Sequence, residues 1–149
     1  MIYMGKNKVL LVEDNSDDVE LALLALEEHY GNRDDVVVMR DGQQAVDYLE
    51  SIDAANDESP AVVLLDLKLP WLDGFEVLKR IRANPVTRFV PVVVLSSSNE
   101  ECDMKSSYEL GANSYIQKSL DFSRFSESVR QIGQYWLDLN SVPHTCRTA

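Results

Sequence analysis

Residues 61–70 read AVVLLDLKLP, an apolar run that ends in an acidic residue and a turn closed by proline. The run is apolar on both of its faces, as expected for a strand of a parallel sheet that helices cover on both sides. Pro70 has no backbone N–H to donate, so an interior strand has to end before it. We therefore predict a buried strand from Ala61 to Asp66, with the carboxylate of Asp66 at its carboxyl end.

The same kind of apolar run recurs along the chain, with helix-like periodicity between the runs. Five strands are predicted: Lys8 to Glu13, Val36 to Arg40, Ala61 to Asp66, Pro91 to Ser96 and Ser114 to Gln117. Strands that alternate with helices indicate a parallel sheet with right-handed crossovers. We predict an α/β fold of the flavodoxin-like type, a five-stranded parallel sheet of order 2-1-3-4-5 with helices on both faces.

The predicted helices carry chemical signals at their starts. The first, from about Asp17 to Tyr30, opens with Asp17 and Asp18, which the positive end of the helix dipole favours. Three later starts match the capping box, in which a side-chain oxygen accepts a backbone hydrogen bond: Asp41 with Gln44, Asp73 with Glu76, and Ser98 with Glu101. The last helix is predicted from Phe122 to Leu139, because apolar residues recur there at steps of three and four.

Length and composition limit the classes of protein that the chain can represent. Its 149 residues have room for one ordinary domain, and we predict that domain at 8–139, with an N-terminal extension at 1–7 and a flexible tail at 140–149. The formal net charge of −11 opposes binding to nucleic acid or anionic lipid. No apolar run approaches the roughly 18 residues of a membrane helix. With two cysteines and no signal peptide, we expect a cytoplasmic protein.

Several of the predicted strands end in side chains that can do chemistry. Glu13 and Asp14 close the first strand, Asp66 the third and Ser96 the fourth, while Lys118 follows the fifth. The carboxyl ends of parallel strands meet at one edge of the sheet, where such folds bind ligands. Three carboxylates at one edge repel one another unless a hard divalent cation binds between them. The cluster therefore predicts an Mg²⁺ site.

A metal, a carboxylate, a hydroxyl and an ammonium group together suit phosphoryl transfer to an aspartate. Asp66 can attack phosphorus in line and form an acyl phosphate, while the cation and Lys118 offset charge on the equatorial oxygens. The backbone carbonyl of Lys68 is a further candidate ligand for Mg²⁺. Asp66 is therefore the predicted phosphoacceptor.

The motifs around these residues resemble those of the receiver domains of two-component response regulators. They are VEDN at 12–15, LDLKLP at 65–70 with Asp73-Gly74 after it, VLSS at 94–97, and GANSY at 111–115 leading to Lys118. Each lies at the end of its strand, in the order of the family. The resemblance covers roughly Lys8 to Leu139 and implies the receiver fold.

The resemblance implies a role for each residue of the acidic edge. Asp66 would accept a phosphoryl group from a phosphohistidine of a sensor histidine kinase. Asp14, Asp66 and the carbonyl of Lys68 would bind Mg²⁺, with Glu13 acting largely through water. Lys118 would contact the phosphoryl oxygen. The protein would be a phosphorelay switch and not a metabolic enzyme, with only slow self-catalysed loss of the phosphoryl group.

The resemblance also implies how phosphorylation changes the surface. Ser96 would rotate inward to hydrogen-bond the phosphoryl group, and Tyr115 would fill the space that Ser96 leaves. The surface formed by helix four, strand five and helix five would then repack and bind a downstream protein that the sequence does not identify.

Within this family the chain is most similar to the small stand-alone response regulators of cyanobacterial and bacterial phytochromes, so a phytochrome-type kinase is the expected donor. Features of this group include VVVLSSS at 92–98 and YWL at 135–137. Neighbouring helix positions lie about 100° apart, so Tyr135, Trp136 and Leu137 cannot share one buried face. We predict an interface there, a homodimer through helix four, strand five and helix five. We expect no output domain, since the residues after Leu139 are too few to form one.

Two alternative functions and one departure from the family bear on this prediction. An aspartate-nucleophile phosphatase needs a second aspartate two residues after the nucleophile, where this chain has Lys68. A pseudo-receiver would keep the fold as a protein-binding module without phosphorylation. The family usually has proline after its lysine, whereas Ser119 follows Lys118, and the sequence leaves the geometry of that peptide bond open.

Overall fold

A parallel five-stranded sheet of order β2-β1-β3-β4-β5 forms the centre of the computed structural model, which describes residues 8–30, 33–53, 55 and 58–143. Its elements are β1 (Val9–Val12), α1 (Ser16–Tyr30), β2 (Val36–Met39), α2 (Gly42–Glu50), β3 (Val62–Leu65), α3 (Gly74–Ala83), β4 (Val92–Ser96), α4 (Glu101–Glu109), β5 (Ser114–Gln117) and α5 (Phe122–Gly133). The predicted fold and strand order are confirmed. The expected extension at 1–7 and positions 144–149 of the expected tail lie outside the described residues.

Alternating side chains of the strands build two separate apolar clusters, one on each face of the sheet. Leu10 and Leu65 point into a cluster that α2 and α3 cover. Leu11 and Leu64 point into the opposite cluster, which α1 and α5 cover. All residues of β1, β3 and β4 are buried, so the ends of these strands occupy fixed positions. Among the described residues, no helix is long and apolar enough to cross a membrane.

Two of the three predicted helix caps are confirmed. The side chains of Asp41 and Asp73 accept hydrogen bonds from backbone N–H groups in the first turns of α2 and α3. The third prediction is wrong, because the residue before α4 is Glu100, whose side chain makes no capping bond. Ser98 instead donates its hydroxyl to Asp103 Oδ2 at 2.7 Å. The Ser98 oxygen accepts a hydrogen bond from the Glu100 N–H at 3.2 Å, one residue before α4 begins, so it does not cap the helix.

The last helix also differs from its prediction. The α-helix ends at Gly133, and Gln134–Leu139 continue as a π-helical segment. The N–H of Asn140 donates to the carbonyl of Tyr135 at 2.7 Å, a hydrogen bond that spans five residues. A π turn is wider than an α turn, so the apolar seam does not continue straight. Leu139, predicted on that seam, is 68% exposed.

Candidate functional site

Three acidic side chains meet at the carboxyl edge of the sheet, where β1 and β3 end. Carboxylate oxygens of Glu13, Asp14 and Asp66 all lie within 4.8 Å of one another. The Asp66 N–H donates to the carbonyl of Val12 at 3.0 Å, which joins the ends of the two strands. Glu13 and Asp66 are buried, while Asp14 is exposed. The predicted carboxylates are therefore together, and their oxygen donors fit a hard divalent cation.

Lys118 lies against this cluster as its cation. Its Nζ contacts Glu13 Oε1 at 2.5 Å, Asp18 Oδ2 at 3.0 Å and Asp66 Oδ2 at 3.5 Å. The side chain is only 11% exposed. The Lys118–Ser119 peptide bond is trans, since the described residues include no cis peptide bond. The chain thus places its lysine at the acidic edge although serine, and not proline, follows it.

Asp18 also belongs to this site through its contact with Lys118, although the sequence did not predict a functional role for it. The side chain of Asn15 accepts hydrogen bonds from the N–H groups of Asp17 (2.9 Å) and Asp18 (3.0 Å) and so fixes the first turn of α1. Because α1 begins at Ser16, soon after β1 ends at Val12, that turn lies at the same edge of the sheet. This short connection between β1 and α1 is the feature of the sequence from which the position of Asp18 at the site could have been predicted.

The charges of Glu13 and Lys118 depend on each other and on burial. Burial raises the pKa of Glu13 from 4.5 to about 7; the hydrogen bond from Lys118 opposes this shift, and repulsion from Asp66 adds to it. Burial alone would lower the pKa of Lys118, but Glu13, Asp66 and Asp18 outweigh it and raise that pKa above its ordinary value. Lys118 therefore stays cationic, and Glu13 changes charge near neutral pH.

The metal-free protein is expected to lose stability as the pH rises from about 4.5 to about 7. The folded-state pKa of Glu13 lies above the unfolded value of 4.5, because the folded protein favours the protonated side chain. The stability that this preference contributes is fully present below pH 4.5 and is lost as the pH rises through about 7. The whole loss is on the order of 3 kcal/mol. Urea unfolding in the presence of a metal chelator, repeated at pH values between 4.5 and about 7, measures this loss in the free energy of unfolding. Glu13→Gln should flatten the profile, and an unchanged slope in that variant would contradict the assignment.

Ser96 and Tyr115, the predicted switch residues, are connected through Ser98. The buried hydroxyl of Ser96 accepts a hydrogen bond from the Ser98 N–H at 3.1 Å. The Tyr115 hydroxyl donates to the Ser98 carbonyl at 2.9 Å. The Lys118 N–H donates to the Ser96 carbonyl at 2.7 Å. Through its bond to Asp103, Ser98 also joins this network to α4.

The residues predicted to form an interface differ in exposure. Tyr135 is 49% exposed, while Trp136 and Leu137 are partly buried against the cluster beneath α1 and α5. The rings of Tyr135 and Trp136 pack edge to face, with centroids 4.8 Å apart. Both rings line a cleft of about 470 Å³ between β5 and α5. The end of α5 therefore combines an exposed ring with a cleft beside it.

Residues 9–130 match the family described as response regulator receiver domain. The chain belongs to that family. FilR2 of Methanothrix harundinacea, described as a probable methanogenesis regulatory protein, is 39% identical over 135 residues, which cover 91% of this chain and 86% of FilR2. The response regulator Rcp1 of Synechocystis sp. is 37% identical over 136 residues, 91% of this chain and 92% of Rcp1.

Solved structures of receiver domains have the same fold. The phosphorylated cyanobacterial phytochrome response regulator RcpA superposes with a TM-score of 0.83 at 40% identity, over 92% of this chain and 98% of RcpA. The Mn²⁺-bound form of Rcp1 superposes with a TM-score of 0.80 at 35% identity, over 92% of this chain and 99% of Rcp1. The resemblance seen in the sequence motifs is therefore confirmed.

Proposed function

We propose that the protein is a signalling switch that accepts a phosphoryl group on Asp66, in an Mg²⁺-dependent reaction, from a sensor histidine kinase. The observation that carries this proposal is the surroundings of Asp66. It ends an interior strand, shares a cluster with Glu13 and Asp14, and lies 3.5 Å from the Nζ of Lys118. A nucleophile, a cation site and a second cation are thus together, as phosphoryl transfer requires.

Each residue of the cluster has a role in this reaction. Asp14, Asp66 and the carbonyl of Lys68 would hold Mg²⁺, with Glu13 acting through water. The bound ion would supply positive charge for the phosphoryl oxygens. An Asp66 oxygen forms the new bond to phosphorus as the bond from phosphorus to the donor histidine nitrogen breaks. Lys118 leaves its carboxylate partners to contact a phosphoryl oxygen, which stabilises the charge of the transferring group.

The switch would run from the phosphoryl group to the surface formed by α4, β5 and α5. Ser96 rotates toward the phosphoryl oxygen and gives up the hydrogen bond from the Ser98 N–H. Tyr115 then moves into the vacated space. Because Ser98 also bonds to Asp103 in α4, release of Ser96 changes the start of α4. A downstream protein would bind to this changed surface.

The donor that we propose is a phytochrome-type histidine kinase, since RcpA, which superposes on most of this chain, is described as a phytochrome response regulator. The protein is not a metabolic enzyme in this scheme. Its own chemistry is limited to slow hydrolysis of the acyl phosphate.

We further propose a homodimer through α4, β5 and α5. Tyr108 on α4 is 49% exposed, as is Tyr135 beyond α5. The cleft beside Tyr135 and Trp136 would receive an apolar side chain of a second copy. Leu137, which is partly buried, would support this contact from beneath.

Incubation with acetyl phosphate and Mg²⁺ tests the acceptor. Intact-mass measurement should show a gain of one phosphoryl group in the wild type and in Asp47→Asn, an exposed control on α2. Asp66→Asn or addition of EDTA should abolish the gain. No gain in the wild type would favour the alternative, a pseudo-receiver that only binds proteins. Sedimentation of the same samples tests the dimer, and a strict monomer in both would contradict it.

A further inference from the structure

Trp71 has a backbone conformation and a solvent exposure that the packing of the protein does not explain. Its φ is +70°, and it is the one non-glycine residue with a positive φ within 8–30, 33–53, 55 and 58–143. Its side chain is 88% exposed. A bulky residue in the left-handed region is a true outlier, and glycine would adopt the same backbone without strain. The chain therefore keeps a large ring where its own folding favours a small residue.

The loop that carries Trp71 is firmly held. The Leu72 N–H donates to the Pro70 carbonyl at 2.8 Å, which closes a three-residue turn around Trp71. Turns of this kind with a positive central φ are rare and strained. The Gly74 N–H donates to the Leu67 carbonyl at 2.9 Å, and Leu72 packs on the cluster beneath α2 and α3. The ring is thus displayed to solvent from a fixed backbone.

Trp71 also lies in the loop that follows Asp66. Lys68, earlier in that loop, donates its N–H to Asp66 Oδ1 at 3.4 Å. Across the acidic cluster, Leu120 follows Lys118 by two residues and is fully exposed. Because β4 separates β3 from β5, the strand ends from which these two loops start are about 10 Å apart. Exposed apolar side chains thus occur in the loops that follow both strands.

We infer that Trp71 is a docking residue for the protein that donates the phosphoryl group. This inference rests on the proposed function. Asp66 is only 7% exposed, so a donor histidine reaches it only when the donor surface covers the surrounding loops. The exposed ring of Trp71 is then buried against the donor, near the phosphohistidine. Burial of an exposed tryptophan at the centre of a contact is a common source of binding energy between proteins.

The test compares a protein donor with a small donor on the same variants. Several autophosphorylated phytochrome histidine kinases are screened, and the one that labels the wild type fastest is the probe. Trp71→Gly should slow this transfer about thirtyfold and leave labelling by acetyl phosphate unchanged. Trp71→Phe should restore most of the rate. The control is Phe89→Ala, an aromatic residue 61% exposed in the loop before β4, at the opposite edge of the sheet.

A measurement of stability separates a docking role of Trp71 from a role in folding. Trp71→Gly removes the strain of the positive φ, so this variant should unfold at a urea concentration equal to or higher than that of the wild type. Equal transfer from the kinase to wild type and Trp71→Gly would overturn the inference while the acetyl phosphate result still supports Asp66 as acceptor. A change in sedimentation instead of transfer would assign Trp71 to contact with a second copy and also overturn it. If acetyl phosphate labels the wild type but no kinase does, the inference and its histidine-kinase donor fail together.

Discussion

Lys118→Ala is expected to slow phosphorylation by acetyl phosphate by roughly 100- to 1000-fold, the usual cost of removing one group that stabilises a transition-state oxyanion. The same change should tighten Mg²⁺ binding. Lys118 now contacts Glu13 at 2.5 Å and Asp66 at 3.5 Å, so it competes with a metal ion for these carboxylates. Without the lysine, the buried acidic side chains lose their only described cationic neighbour. Timed mass spectrometry and calorimetric titration with Mg²⁺ measure the two effects.

The two effects have opposite signs, which makes this prediction specific to Lys118. General damage to the fold would weaken both metal binding and phosphorylation. Lys105→Ala is the matched control, because that lysine is 80% exposed on α4. Weaker Mg²⁺ binding in Lys118→Ala, or an unchanged rate of phosphorylation, would contradict the proposed position of Lys118.

Gly74→Ala is expected to destabilise the protein by about 3 kcal/mol, at the upper end of the usual cost of overpacking. A Cβ at Gly74 would lie 2.3 Å from the Asp66 carbonyl oxygen and 2.7 Å from the Leu67 Cα. Both are backbone atoms next to the phosphoacceptor, so neither can rotate away. Phosphorylation should fall as well, because the strand end that carries Asp66 has to shift. Urea unfolding and the acetyl phosphate assay measure these effects.

The control for Gly74→Ala is Lys79→Ala, since Lys79 lies on α3 with its side chain 58% exposed. This variant should keep the stability and the phosphorylation of the wild type. If Gly74→Ala had the same stability and phosphorylation as Lys79→Ala, the close approach of α3 to the end of β3 would not restrict position 74 to glycine.

The sheet and the acidic cluster were predictable because they depend on local patterns. Apolar runs such as 61–65 mark buried strands, and parallel strands deliver whatever follows them to one edge. Glu13 and Asp66 therefore came together once the strand order was known. Two helix starts were predictable for the same reason, since Asp41 and Asp73 cap the helices that follow them directly.

Other features depend on contacts between distant segments, which no local pattern encodes. Asp18 joins the site through Lys118, a hundred residues away in sequence. Ser98 carries the signature of a helix cap but bonds to Asp103 and Tyr115 instead. A left-handed backbone at Trp71 contradicts the preference of its residue type. Tertiary structure overrides the local preference in each case.

The two apolar clusters share no side chain among the described residues. Packing around α5 therefore rests on a different interior from packing around α3 and the loop before it. Substitutions that remodel one interior leave the fit of the other intact. Descendants of such a chain can therefore change the side chains beneath α5 without disturbing the packing of the loop that follows the phosphoacceptor.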